Sequence, residues 1–121
     1  MKNSFLFRVW CVNKQQWEEG KVYIDNQGRI YDDFHRVKKE THIIQQCTGL
    51  KDKNGKLIYE GDIIEWKKEN HIVIFDERNA TFGIKISDVE TYLFNDIHTP
   101  TRWIEVVGNI YENKELLKEQ K

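Results

Sequence analysis

The residues that could do chemistry are few and scattered. Four histidines, His35, His42, His71 and His98, stand far apart, and none has a Cys or His partner at the spacing of a zinc motif. They read as surface or strand-edge residues. The two cysteines, Cys11 and Cys47, sit in apolar, strand-like contexts without a C-x-x-C spacing, so both read as buried free thiols. Cys47 beside Thr48-Gly49, with His42 as base, is the nearest approach to a nucleophile, and a core thiol is the favoured reading. Serine occurs only at Ser4 and Ser87, with no nucleophile elbow. Glu60 and Asp62 flank a turn, where an Asp more often accepts backbone N–H groups than works as an acid or base. If Gly55 took the glycine position of a Ca²⁺ loop, Leu50 and Gly61 would fall at its first and last ligand positions, and neither is a ligand. Phosphate-cradling glycine loops are absent. The expectation is a protein with no catalytic, metal or cofactor residues.

What remains is charge. Lys51, Lys53 and Lys56 cluster on the Asn54-Gly55 turn and, with Asp52 and Glu60, form a candidate interaction loop. Arg36, Lys38 and Lys39 make a second basic patch, and Trp10, Tyr59 and Trp66 could offer stacking faces of the kind single-strand binders use. Against this stands a net charge of -1, from 19 basic and 20 acidic residues. That balance argues against a dominant polyanionic partner such as duplex DNA or an anionic membrane. Lysines solvating a turn and aromatics filling a β core are the favoured reading. Residues 1–60 carry 11 basic and 8 acidic groups and residues 61–121 carry 8 and 12, a gradient too small to assign a partner.

The elements that must position these residues are organised around Gln46–Trp66, QCTGLKDKNGKLIYEGDIIEW. Asn54-Gly55 supplies the positive φ angles of a tight turn, and Gly61-Asp62 makes another between Leu57–Glu60 and Ile63–Trp66. Phe5–Val12 reads as a strand with apolar groups on both faces. Val22–Ile24 and Arg29–Tyr31 flank the hairpin loop Asp25–Gly28, and Phe34–Glu40 reads as a short exposed basic segment. Thr41–Thr48 reads as a strand. His71–Phe75 and Thr81–Ile86 read as a hairpin around residues 77–80, with Gly83 marking a bulge or a close backbone contact. Ser87–Asn95 fits either a capped short helix or a strand. Trp103–Val107 and Asn109–Tyr111 form a last strand interrupted by Gly108, and Asn113 caps a short helix at Lys114–Glu119. Short strands separated by turn signals every 8–12 residues predict a mainly β fold. The expected architecture is a small barrel or sandwich with SH3-like barrel elements, a short C-terminal helix and one domain over residues 1–121. No run approaches the roughly 20 apolar residues that span a bilayer, and Arg8 interrupts the only signal-like segment.

Two blocks carry a resemblance. GLKDKNGKLIYEGDII at Gly49–Ile64 and IEVVGNIYENKELL at Ile104–Leu117 resemble the signature segments of the YopX family, small proteins found mostly in bacteriophages and prophages. FLFRVWCVNKQQW near the start is a weaker third match, in the family's order, whereas Glu18–Glu40 and Lys67–Thr101 match no family pattern. The resemblance implies a mostly β fold, and with neither a signal peptide nor a membrane span expected, the protein should stay in the cytoplasm of the bacterial host cell. The resemblance implies no activity, since the family offers no catalytic residues to carry over.

Two functions follow as expectations. The first is a phage-encoded accessory module acting through protein contact, as a homo-oligomer or on an unknown protein partner. The second, less favoured, is a small nucleic-acid binder using Lys51, Lys53 and Lys56.

Overall fold

The computed structural model describes residues 6–19, 22–32, 36–37, 40–94 and 103–118. Among the described residues the protein is mainly β, 54% strand against 4% helix, with a sheet curled as a half-barrel and one short C-terminal helix, as the turn-punctuated pattern predicts. The chain divides into two compact units, one of residues 7–45 and one drawn mainly from the described residues after 45.

In the first unit, β1 (Phe7–Cys11) turns back on β2 (Gln16–Trp17), pairing Trp10 with Trp17 and Cys11 with Gln16. The two indoles meet edge to face, 4.9 Å between centroids, and the Arg8 guanidinium lies 4.2 Å over Trp17. Trp10 is buried, and β1 lies inside its sheet, between β2 and the strand at His42–Lys51. The predicted hairpin around Asp25–Gly28 forms as β3 (Tyr23–Ile24) and β4 (Ile30–Tyr31). The Asp25 carboxylate closes its loop by accepting the N–H groups of Gln27 and Arg29. Arg36–Val37, expected to be merely exposed, adds to that sheet as β5. The chain leaves this unit along β6 (His42–Lys51).

In the second unit, the end of β6 pairs with β7 (Leu57–Tyr59) across the Asn54-Gly55 turn, where Gly55 takes a φ of 82°. A five-stranded antiparallel sheet follows, in the order β11-β10-β9-β8-β12. Its strands are β8 (Asp62–Trp66), β9 (Glu69–Asp76), β10 (Thr81–Lys85), β11 (Thr91–Leu93) and β12 (Glu105–Asn109). The core is Ile58, Ile64, Val73, Ile84, Phe94, Ile104 and Val106, with Leu50, Trp66, Phe82, Ile86 and Tyr92 packed against it. Each fully buried aliphatic chain contributes about 1.5–3 kcal/mol of transfer free energy. Gly83 lies where an added Cβ would come within 2.7 Å of the Tyr92 carbonyl oxygen, the close backbone contact its sequence position predicts. The ambiguous stretch after Ser87 resolves as a turn and a strand. The Ser87 hydroxyl accepts the N–H of Val89 and Glu90, and β11 follows.

The C-terminal helix α1 is a single turn, Glu115–Lys118. The Asn113 side chain does not cap it; Asn113 Oδ1 accepts the Asn109 N–H instead. The Asn70 amide, donating to the Leu116 carbonyl, ties the helix to β9. Among the described residues no helix is long and apolar enough to cross a membrane.

Candidate functional site

The candidate loop is built around a buried carboxylate. Asp52 is 6% exposed, and its Oδ1 accepts the N–H groups of Asn54 and Lys56, each at 2.9 Å. This is the Asx geometry that a short acidic side chain offers a tight turn. The second oxygen, Oδ2, reaches out of the turn to the N–H of Val106 at 2.9 Å. Beside it the Lys53 N–H donates to the Ile104 carbonyl at 3.0 Å. Ile104 C=O and Val106 N–H both point away from β8, at the open edge of β12, so one corner of the loop satisfies two backbone groups of that edge. Burial alone would raise the Asp52 pKa. The three N–H donors, with help from the Lys56 charge, outweigh it and hold the carboxyl below the ordinary range.

The other side chains of the loop diverge. Lys51, Lys53 and Lys56 are exposed. Lys53 Nζ lies 3.3 Å from Glu105 Oε1, an ion pair with both partners well solvated and so of small energetic weight. Glu60 is half-buried at the end of β7, where its N–H donates to the Gln46 carbonyl. Burial first, then the Glu60 carboxylate, push the Tyr111 phenol up. Asp62 is buried and accepts the Tyr59 N–H at 2.8 Å, the turn role its position predicts.

The stacking faces expected from sequence are mostly inside. Trp10 is buried, and Trp66 is half-buried against Tyr92 with 5.1 Å between centroids. Lys38 and Lys39 lie outside the described residues, as do Ser4, His35 and His98. Among the described residues Phe7, Tyr23, Phe75 and Trp103 are the exposed aromatics, and Trp103, the most exposed, is one that sequence reasoning assigned only to a strand. Along residues 103–107 the chain alternates: Ile104 and Val106 enter the core, while Trp103 is 61% exposed and Val107 37%. Glu105, between them, carries the Lys53 ion pair. An exposed indole just before β12 and the exposed Val107 within it thus flank Glu105 in sequence, next to the anchored loop.

Catalytic chemistry fares differently. Cys47 is fully buried, and its Sγ accepts the Gly49 N–H at 3.4 Å. His42, its imagined base, stands instead with Cys11 and Glu18, one ligand-type atom from each within 4.8 Å of the others. The spacing rules for metal motifs miss this group because its members come from three separate segments.

Comparison with known proteins agrees with the fold. The model of the family described as YopX protein matches residues 6–118. Among solved structures, the chain is similar to protein EF1440 from Enterococcus faecalis, at 25% identity and a TM-score of 0.62, over 94% of this chain and 99% of that one. No curated protein matches it.

Proposed function

The chain belongs to the YopX protein family, and from that membership we propose a phage- or prophage-encoded accessory protein that works by non-catalytic self-association. The observation that supports this reading is the exposed segment at the start of β12, where Trp103 and Val107 are exposed and flank in sequence the Glu105 of the Lys53–Glu105 pair. An exposed tryptophan in a frame of satisfiable polar groups has the composition of an interface hot spot. Contact would run through side chains rather than through an added strand, because Ile104 C=O and Val106 N–H already have partners. The cytoplasm of the bacterial host is the compartment this reading implies.

The nucleic-acid alternative draws on Lys51, Lys53 and Lys56, all exposed, with Trp103 near Lys53's ion-pair partner as a stacking face. It is weakened by Glu105, which offsets one of the three charges, and by the net charge of -1.

Sedimentation across a wide concentration range, with and without a mixed nucleic-acid pool at low salt, tests both readings. Self-association predicts a mass that rises with concentration, ignores nucleic acid and reverts to the monomer in Trp103→Ala. A monomer at every concentration overturns it. A nucleic-acid-dependent mass that salt abolishes puts the alternative in its place.

A further inference from the structure

We propose that Cys11, Glu18 and His42 form a binding site for one soft divalent cation of the Zn²⁺ class. The sheet of the N-terminal unit brings them together. The β1–β2 hairpin pairs Cys11 with Gln16, and the Glu18 N–H donates to the Val9 carbonyl. Cys11 and Glu18 thus lie diagonally on the same face of the hairpin. On the other side of β1, Val12 N–H donates to Thr41 C=O, and Arg8 Nε donates to Gln45 Oε1. That antiparallel register sets Cys11 opposite His42. Three ligand types therefore converge from three adjacent chain segments onto one face, with Cys11 in the middle.

The distances suit a shared ion better than a direct pair. His42 Nε2 lies 3.6 Å from Glu18 Oε2, too long for a hydrogen bond. Two ligand atoms bound to one tetrahedral zinc, with bonds of about 2.0–2.3 Å, stand about 3.3–3.8 Å apart. The cluster's outer limit of 4.8 Å closes to that range with side-chain adjustments of about 1 Å. His42 Nδ1 is held by Thr41 Oγ1 at 2.8 Å. With Nδ1–H donating to the Thr41 hydroxyl oxygen, the imidazole is fixed in the tautomer whose Nε2 lone pair is free for the cluster, the outer-shell arrangement typical of metal-ligating histidine.

Charge and exposure fit as well. A thiolate and a carboxylate together neutralise a divalent ion, and sulfur with imidazole selects zinc over magnesium or calcium. Cys11 is 2% exposed, whereas the Glu18 and His42 side chains keep 17% and 15% of their surface, enough for a cation to enter and hold a water as fourth ligand. Lys14 Nζ, 3.7 Å from Glu18 Oε1, meets the other carboxylate oxygen and leaves Oε2 to the ion.

Titration of the full-length, tag-free chain with Co²⁺ under reducing conditions tests the site. The expected result is a thiolate-to-cobalt charge-transfer band with tetrahedral visible bands, saturating at one equivalent and displaced by Zn²⁺. Cys11→Ser loses the charge-transfer band, Cys47→Ala keeps it, and Thr41→Val lowers affinity about tenfold. Absence of the band in the native chain, or its survival in Cys11→Ser, overturns the proposal. Should Cys11→Ser fail to fold by circular dichroism, the partly exposed Glu18→Gln and His42→Gln decide. Undiminished cobalt affinity in both overturns the site, and a loss of tenfold or more in each supports it.

Discussion

The carboxylate of Asp52 accepts a hydrogen bond from the backbone N–H of Val106 across 54 residues of sequence, at 2.9 Å. With its bonds to Asn54 and Lys56, this one side chain organises a turn and attaches it to the far edge of the sheet. The two blocks that carry the family resemblance, Gly49–Ile64 and Ile104–Leu117, are joined by this contact. Folding thus accounts for at least one polar residue of the signature.

Asp52→Ala should destabilise the protein by about 3 kcal/mol, because three backbone donors lose a charged acceptor and the Val106 donor is buried. Asp52→Asn, which keeps one carbonyl oxygen, should cost about half as much. Urea unfolding read by tryptophan fluorescence measures both, and a loss below about 0.5 kcal/mol in Asp52→Ala would contradict the assignment.

The same group sets an acid limb. Its folded pKa is lowered relative to the unfolded chain. The stability it contributes is therefore complete above the ordinary carboxylate pKa of about 3.9 and is lost as pH falls below it through the folded value. Unfolding free energy measured from pH 6 downward should decline in that window. The decline should be shallower in Asp52→Asn, which has no proton to take up; parallel slopes would refute the linkage.

The hairpin between β8 and β9 turns on Lys67 and Lys68, with φ of 52° and 67°. Left-handed backbone costs a non-glycine residue about 1–2 kcal/mol. Lys67 recovers a part by lying 4.6 Å over the Trp66 ring. Lys68→Gly should accordingly stabilise the fold by about 1 kcal/mol, visible as a raised Tm. No gain, or a loss, would show that the turn is not strained at that residue.

Gly83→Ala should do the reverse. Its Cβ would sit 2.7 Å from the Tyr92 carbonyl oxygen and 2.9 Å from Thr91 Cγ2, so β10 and β11 must part to admit it. A cost of about 1–3 kcal/mol is expected, with hydrogen exchange accelerating first in β11. Native-like protection in that strand would count against it.

The sequence made some of this legible and hid the rest for identifiable reasons. Turns with their own chemistry could be read directly: Asp25–Gly28, Asn54-Gly55 and Gly61-Asp62 all separate the strands they were expected to separate. Lys67-Lys68 has no turn chemistry, so the tightest hairpin of the sheet left no mark in the sequence. Arg36–Val37 is too short to show alternation and gains its strand character only by pairing with β4. The site residues were harder still. Asp52 reads as one more polar residue of a charged loop until its partner in β12 is known. Cys11, Glu18 and His42 carry no spacing signal, because the register of the sheet alone makes them neighbours. Trp103 reads as a strand aromatic, and only the inward turn of Ile104 and Val106 reveals that it faces out.

The Asp52 corner has a consequence for solubility. A terminal strand with unpaired backbone groups is a template on which another chain can add, and proteins block such edges with charges, bulges or covering loops. Here β12 has all three: the carboxylate on Val106, a register shift between Val106 and Gly108, and the loop laid over Ile104. Release of the corner by acid would lower stability and at the same time uncover the edge. Material that precipitates at low pH should therefore be β-rich and dye-binding, seeded from β12 rather than from a generally unfolded chain.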